Sequence, residues 1–228
     1  MAAKSAHHDM TSAVEDYAKA IYALERRDEG AVSTNALAER LGVTPASASG
    51  MVKRLDEMGL VSHEPYRGVQ LTREGLRVAL EVMRHHRLLE LYLAEQLGVP
   101  WDRVHAEAEV LEHVLSEDLE KLIAAKLGNP TRDPHGDPIP TPDLRIVEPD
   151  TVALDSLQAG ARGTFVRVSD SDPEMLRYLA ERGIAPGDRF EVVDKQPFDG
   201  PLFARFGAEG VHVLGGALAR AMRVEVTS

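Results

Sequence analysis

Five prolines crowded between residues 129 and 143 constrain the fold of this chain more than any other feature. They are Pro130, Pro134, Pro138, Pro140 and Pro142. Proline fixes its own backbone angle and lacks an amide donor, so no helix continues through this segment. Residues 14–127, before it, have mostly helical periodicity, whereas residues 163–226 have short strand patterns. The sequence therefore predicts a helical part and a later β part, joined by a semi-rigid linker.

The helical part begins with the pattern of a winged helix-turn-helix. A short amphipathic helix ends at Gly42, and Thr44 and Pro45 then supply the N-cap and first position of a second helix. A helix, a tight glycine-containing turn and another helix form the helix-turn-helix signature. Residues 59–72 follow as a two-stranded hairpin, which predicts the wing. The alternative is an ordinary helical hairpin.

Small and polar residues at the start of the second helix predict the DNA-reading face. Such residues allow a helix to approach bases and phosphates in the major groove. Two basic residues follow one turn later, and another lies near the tip of the wing, where they suit phosphates. The predicted DNA contacts are Thr44, Ala46, Ser47, Ser49, Gly50, Lys53, Arg54 and Arg67.

The charge balance of the chain needs an explanation if it binds DNA. The formal net charge is −11, whereas DNA affinity rests on Lys and Arg meeting phosphates. Cations bound by clustered carboxylates would offset part of this acidity. Cysteine is absent, which excludes disulfides and thiolate metal sites. No membrane-length apolar run or secretory signal is evident, so we expect a cytoplasmic protein without a membrane partner.

A constellation of His and Glu residues in the later helices predicts a metal site. His105, Glu109, Glu112 and His113 have spacings of 4, 3 and 1, which places them on adjoining parts of one helical face. His86 and Glu90 align in the same way on the preceding helix. Two antiparallel helices carrying such residues can bind metal between them. The alternative is a solvated, charged helix face.

The part after the prolines predicts a small barrel. The expected strands span 164–168, 189–193, 202–206, 210–213 and 222–226. A helix is expected over 173–181, because Asp172 suits its N-cap and Pro173 its first position. Five short strands in so small a unit favour a compact barrel.

Taken together, these motifs resemble the diphtheria toxin repressor family over nearly the whole chain. The matching segments are 15–22, 37–41, 84–90, 104–113 and 136–140. The resemblance implies a mainly α chain with small β parts: an N-terminal winged helix-turn-helix, a helical dimerisation domain and a C-terminal SH3-like β-barrel. The expected bounds are 10–73 for the DNA-binding domain, 74–140 for the helical metal-binding and dimerisation domain, 141–158 for a linker and 159–228 for the SH3-like (FeoA-like) domain.

The resemblance also implies two metal sites per subunit. The primary site would comprise Asp16, Glu109, Glu112 and His113, with His86 as a further candidate. The second would use His86, Glu90 and His105, completed from the SH3-like domain, where Asp172 and Glu174 lie in the matching stretch. Some manganese members have a Glu where this chain has Lys19, so a close-paired dinuclear primary site is not expected here.

Manganese is the metal that these residues favour. The iron branch of the family uses a Met and a Cys where this chain has Asp16 and Glu109, and carboxylate and imidazole ligands suit hard Mn²⁺. Fe²⁺ remains a competitor, and an iron-dependent repressor of the same family is the first alternative. A metallohydrolase and a regulator that senses no metal are the others. The expected function is repression of metal homeostasis genes. The repressor would be a metal-activated homodimer that binds palindromic double-stranded operator DNA. Neither a catalytic residue nor a small-molecule substrate is expected.

Overall fold

The computed structural model describes residues 11–28, 30–64, 68–198, 200–207 and 210–227. They form two compact units. The first holds the chain up to His85 together with Glu112–Leu115 and Pro140–Arg145; the second holds His86–Leu111, Ser116–Ile139 and the chain from Ile146 onward. None of the helices in these ranges has the length and apolar character needed to cross a bilayer.

Three helices and a hairpin open the first unit, as the winged helix-turn-helix pattern predicts. They are α1 (Ser12–Asp28), α2 (Thr34–Leu41), α3 (Pro45–Glu57), β1 (Val61–Glu64) and β2 (Gly68–Leu71). Ser33 caps α2 by accepting a hydrogen bond from the amide of Ala36, and Gly42 ends it in the left-handed conformation. Thr44 caps α3 in the same way, through the amide of Ser47.

A shared core fixes these elements to one another. Leu37 of α2, Leu55 of α3 and Val69 of β2 are fully buried, as is Ile21 of α1. The strands pair antiparallel, with Val61 opposite Leu71. Val32 exchanges backbone hydrogen bonds with Val69, which ties the segment before α2 to the wing. Burial of apolar side chains contributes about 25 cal/mol per Å². It holds one face of α3 against the other elements and leaves the opposite face exposed.

The helical pattern between residues 73 and 127 resolves into three helices. They are α4 (Arg73–Leu97), α5 (Val104–Leu111) and α6 (Glu117–Lys126). Ser116 caps α6 by accepting from the amide of Leu119. Residues of α4 up to His85 belong to the first unit and the later ones to the second.

The proline-rich segment corrects the expectation of a semi-rigid linker. Residues 131–139 instead form a closed turn in the second unit, because Ile139 donates to the carbonyl of Thr131 and Asp133 donates to that of Asp137. Asp133 and His135 are buried within it. The prolines stop helix formation, as predicted. Between them, His135 forms hydrogen bonds with the backbone of Trp101 and Val168, which hold the turn in place.

Six antiparallel strands form the sheet of the second unit. They are β3 (Val152–Ala153), β4 (Arg162–Val168), β5 (Arg189–Lys195), β6 (Leu202–Phe206), β7 (Val211–Leu214) and β8 (Met222–Val226). Their order is β3-β8-β4-β5-β6-β7. Phe165, Val192, Leu214 and Met222 belong to its buried core. Strand β3 was not predicted, because its two residues are too few to show alternation. It lies in the stretch that was expected to be linker.

Two short helices pack with this sheet. The predicted helix is present as α7 (Pro173–Ala180), with Leu176 and Leu179 buried. The other, α8 (Gly216–Ala221), was not predicted. Its six residues are too few for a clear 3.6-residue period.

Candidate metal centres and DNA-binding face

Asp16, Glu112 and His113 form a metal-ligand group in the first unit, here called the head cluster. Asp16 lies on α1, and the other two residues follow directly after α5. One ligand atom from each lies within 4.8 Å of the others. The set offers carboxylate oxygens and one imidazole nitrogen, which suit a hard divalent cation.

Glu15 orients the imidazole of His113. The Nδ1 atom of His113 lies 2.5 Å from a Glu15 carboxylate oxygen. Its Nε2 atom lies 3.0 Å from Asp16 Oδ1 and 3.5 Å from Glu112 Oε1. An Nδ1–H that donates to Glu15 leaves the Nε2 lone pair among carboxylate oxygens, an arrangement that a cation would stabilise. Carboxylates commonly hold metal-binding histidines in this way.

Glu112 is the most deeply placed member of the head cluster. Its side chain has 0% exposure, and the ammonium of Lys19 lies 2.5 Å from its Oε1 atom. His85 donates from Nδ1 to the backbone carbonyl of Glu112 over 3.2 Å. A buried carboxylate requires positive charge or donors, and the Lys19 ammonium supplies both, while His85 satisfies the backbone carbonyl of the same residue.

A second group, here called the core cluster, lies wholly in the second unit. It comprises His86, Glu90, His105 and Asp170, whose ligand atoms lie within 4.8 Å of one another. Glu90 Oε1 lies 2.9 Å from His86 Nε2 and 3.3 Å from His105 Nδ1. Asp170, two residues beyond β4, approaches His105 Nδ1 to 3.1 Å.

The proline-rich turn adds two buried groups beside Glu90. Asp133, His135 and Glu90 also offer ligand atoms within 4.8 Å of one another. His135 Nε2 donates to the carbonyl of Trp101 over 2.8 Å, which points Nδ1 towards Glu90 Oε2, 3.7 Å away. The rings of Trp101 and His135 stack at 5.8 Å.

Gly136 lets this turn approach the sheet. Its φ is 89°, and a Cβ built on it would lie 1.9 Å from the carbonyl oxygen of Val166. The amide of Val168 donates to the carbonyl of His135 over 3.0 Å. A residue with a side chain could not pass β4 so closely, so glycine is required here.

Burial and charge pairing shift the protonation of the core cluster. Burial raises the pKa of Glu90, but its contacts with His105, His135 and His86 outweigh burial and hold the pKa well below its usual range. Asp170 and Glu90 raise the pKa of His105 to about 10. Burial lowers the pKa of His135, but Glu90 and Asp133 raise it to about 9.

Asp133 behaves in the opposite way. Burial, together with the negative charges of Asp137 and Glu90, raises its pKa to about 8. Without metal and near pH 7, the core cluster is therefore held together by protons on His105, His135 and Asp133.

The other predicted ligands take different places. Glu109 lies in the second unit, 3.7 Å from His86 Nδ1 and 3.8 Å from His105 Nε2. Asp172 does not join the core cluster, because its Oδ1 atom accepts from the amides of Glu174 and Met175 as the cap of α7. Glu174 is exposed. Asp170, two residues before Asp172, is the carboxylate that the structure places in the core cluster.

Sequence reasoning also missed Asp133 and His135. They lie in a turn, where no 3.6-residue periodicity marks a common face. The available signal was composition: two carboxylates and a histidine within residues 133–137, in an otherwise proline-rich segment.

The predicted DNA contacts of α3 and its cap share one exposed face. They are Thr44, Ala46, Ser47, Ser49, Gly50, Lys53 and Arg54. Ala48, Val52 and Leu55 form the buried face of the same helix. The helix amino terminus adds partial positive charge where phosphates could approach. Arg67 lies outside the described residues.

Sequence comparisons cover all three parts of the chain. Residues 9–69 match the family described as iron dependent repressor, N-terminal DNA binding domain. Residues 72–141 match iron dependent repressor, metal binding and dimerisation domain, and residues 152–226 match the FeoA domain.

Individual relatives agree over almost the full length. The iron-dependent repressor IdeR of Mycobacterium leprae (strain TN) is 34% identical over 232 residues, covering 96% of this chain and 99% of the relative. The diphtheria toxin repressor of Corynebacterium efficiens is 34% identical over 203 residues, covering 82% and 86%. This chain belongs to the diphtheria toxin repressor family. The resemblance noted in the sequence is thereby confirmed.

A solved structure extends the match to the fold. A manganese-dependent transcriptional repressor in complex with manganese superimposes with a TM-score of 0.86, at 42% identity, covering 94% of this chain and 100% of that one. The expected fold class is confirmed: a helix-turn-helix DNA-binding domain, a helical dimerisation domain and a FeoA, SH3-like domain. The chain is a metal-dependent transcriptional repressor of this family, whose members are regulators rather than enzymes.

Proposed function

We propose that this repressor responds to Mn²⁺ and, as a metal-activated homodimer, binds palindromic operator DNA to control metal homeostasis genes. The head cluster carries the proposal. Asp16 comes from the first helix of the DNA-binding domain, while Glu112 and His113 follow α5. One cation held by all three would fix α1 of the DNA-binding domain to the segment that follows α5.

The donor atoms favour manganese over iron. The head cluster offers oxygen and nitrogen only, and the chain has no cysteine that could add a thiolate. Hard carboxylate ligands suit Mn²⁺, but Mn²⁺ is the weakest binder in the divalent series, so Fe²⁺ competes for the same ligands. One relative is named for iron and one similar solved structure is named for manganese. Both metals must therefore be compared directly.

The protein residues couple metal to DNA through charge. When the site holds no metal, the ammonium of Lys19 keeps Glu112 near α1, but the carboxylates still outnumber this one cation, so they repel one another and hold α1 less firmly. A bound dication supplies the charge that removes this repulsion. The ligands then hold α1, and with it α3, in one position. Because linkage is reciprocal, DNA must raise metal affinity by the factor by which metal raises DNA affinity, typically about 1–3 kcal/mol.

The second copy of the chain would pack on apolar side chains of α5 and α6. Val110 is 71% exposed, Leu119 48% and Leu122 67%. Exposed aliphatic side chains on neighbouring short helices are typical of a buried subunit interface, and the matching family includes dimerisation in its description. In such a dimer, two α3 helices would read half-sites separated by about one DNA turn or a multiple.

The core cluster would hold the second ion of each subunit. His86, Glu90, His105 and Asp170 supply imidazole and carboxylate ligands, with Asp133 and His135 adjacent to Glu90. All of these residues lie in the second unit. We assign this ion a structural role, since the residues that would hold it come from α4, α5 and the segment after β4.

Selection from a pool of random DNA duplexes tests the proposed function. The full-length chain is incubated with the pool at buffered free Mn²⁺, Fe²⁺ (without oxygen) or with chelator, and bound sequences are read. We expect a palindromic consensus with Mn²⁺ and none with chelator. The Glu112→Gln variant should select nothing, whereas Glu117→Gln, the same change at an exposed residue of α6, should select the same consensus. Equal selection with chelator would refute metal activation, and selection at lower free Fe²⁺ than Mn²⁺ would favour the iron-dependent alternative.

A further inference from the structure

Lys19 places a permanent positive charge at the edge of the head cluster. It lies on α1, three residues after Asp16 and four after Glu15, so all three side chains project from neighbouring positions of the helix. Its ammonium contacts Glu112 Oε1 at 2.5 Å. That oxygen is the atom that also lies 3.5 Å from His113 Nε2.

The burial of both partners makes this ion pair different from a surface salt bridge. The Glu112 side chain has 0% exposure and that of Lys19 has 20%. Exposed pairs contribute little because water screens them, whereas removing one partner of a buried pair leaves an uncompensated charge. Glu112 therefore depends on a cation at this position in the metal-free protein.

The charges around His113 define how much positive charge the site can accept. Glu15, Asp16 and Glu112 bring three carboxylates, and Lys19 brings one ammonium. Counted without His113, these four groups carry a net charge of about two negative units, which one dication balances. Without Lys19 the same ligands would carry one more negative charge and would attract a dication more strongly.

We propose that Lys19 is a tethered cation that weakens metal binding at the head cluster, an inference that rests on the proposed function. The ammonium neutralises Glu112 while metal is scarce, so the ligands stay together. A dication must then bind beside, or displace, a positive charge that cannot diffuse away. Lys19 thus sets the metal concentration at which the repressor responds.

Direct Mn²⁺ binding tests this inference without reference to DNA. Free Mn²⁺ is measured by electron paramagnetic resonance during titration of the full chain, in a Glu90→Gln background that disables the core cluster. Three variants are compared: Lys19→Gln, which keeps a hydrogen-bond donor but no charge; Lys19→Arg, which keeps the charge; and Lys121→Gln, which removes an exposed Lys from α6.

The inference predicts a specific order of affinities. Lys19→Gln should bind Mn²⁺ about tenfold tighter or more, whereas Lys19→Arg and Lys121→Gln should stay within about threefold of the unsubstituted chain. An unchanged or weaker affinity in Lys19→Gln overturns the inference. If Lys19→Gln unfolds without metal, recovery of its helical circular dichroism with Mn²⁺ supports it, and failure to recover overturns it.

The two proposals fail in different ways. If the chain binds Mn²⁺ and Glu112→Gln abolishes that binding, but Lys19→Gln leaves it unchanged, only the role of Lys19 is lost. If Glu112→Gln has no effect on Mn²⁺ binding, the head cluster is not a metal site and both proposals are overturned.

Discussion

The head cluster and the core cluster use the same ligand types but solve different electrostatic problems. In the head cluster, carboxylates outnumber cations, and Lys19 neutralises one of them. In the core cluster, raised pKa values keep protons on His105 and His135, so the imidazoles balance Glu90 and Asp170. A site with excess negative charge is stabilised strongly when a dication binds. A site whose charges are already balanced by protons gains less from metal binding.

The largest difference between the clusters should appear on removal of one ligand from each. Glu112→Gln should reduce Mn²⁺-dependent operator affinity by about a hundredfold or more, because the DNA-binding domain loses its charge-dependent link. Glu90→Gln should reduce it by about tenfold at most. Fluorescence anisotropy with a selected duplex measures both. Equal losses would remove the distinction between a regulatory and a structural site.

The number of protons released on metal binding should also differ between the two clusters. His105 of the core cluster and the adjacent His135 hold protons, with pKa values of about 10 and 9; a dication must displace the first, and its charge favours loss of the second. The Mn²⁺ affinity of the core cluster should therefore rise with pH, by up to about a hundredfold per unit near pH 7, and level off above pH 10.

The head cluster contains one imidazole, that of His113, whereas the core cluster contains two. Calorimetric titration in buffers of different ionisation enthalpy counts the protons, with Glu112→Gln isolating the core cluster and Glu90→Gln the head cluster. We expect about two protons per ion for the core cluster near pH 7. Release of no protons there would contradict the charge balance described above.

Disturbing the proline-rich turn should affect the core cluster alone. Gly136→Ala would place a Cβ 1.9 Å from the Val166 carbonyl oxygen, so the turn must move away from β4. We expect a loss of about 2–4 kcal/mol in unfolding free energy and about tenfold weaker Mn²⁺ binding at the core cluster.

A matched control is available for this substitution. Gly128 also has positive φ, but a Cβ there meets no atom within 4 Å. Gly128→Ala should cost only about 1 kcal/mol of backbone strain. Chemical denaturation and calorimetry compare the two variants, and equal effects would show that the approach of the turn to β4 is unimportant.

Metal choice should depend on the ligands proposed for the primary site. Asp16→Met introduces a softer sulfur ligand into the head cluster, so the ratio of Fe²⁺ to Mn²⁺ activation should rise severalfold. Activation midpoints for operator binding are measured without oxygen. Glu117→Met adds a thioether at an exposed position and controls for non-specific metal capture. Midpoints that do not move would refute the argument from ligand softness.

Spacing grouped the two candidate ligands on α4, but not those around α5, where Glu112 and His113 lie beyond the end of the helix and Glu109 lies in the other unit. His86 and Glu90 share a face of α4 because they are four residues apart, and their spacing alone identified them. Asp16, in contrast, was found only through resemblance, because nothing in α1 marks it as the partner of residues almost a hundred positions later. Long-range contacts of this kind depend on packing, which local patterns do not encode.

The irregular segments gave the weakest predictions. The resemblance implied Asp172 and Glu174 but not Asp170, because the sequence could not show that the Asp172 carboxylate would accept from the first amides of α7. The prolines correctly predicted a break in the helices, but not that the turn would fold back and bury His135. In both cases hydrogen bonds to backbone amides and carbonyls determine the side-chain positions, and these bonds have no sequence period.

The stacking of Trp101 on His135 gives the protein an intrinsic optical probe. Trp101 is the only tryptophan in the chain, and its ring lies 5.8 Å from that of His135, at 20° to it. A protonated imidazole quenches indole emission by accepting an electron from the excited ring, and loss of that proton relieves the quenching. The fluorescence intensity of Trp101 should therefore report whether His135 is protonated, without any attached dye.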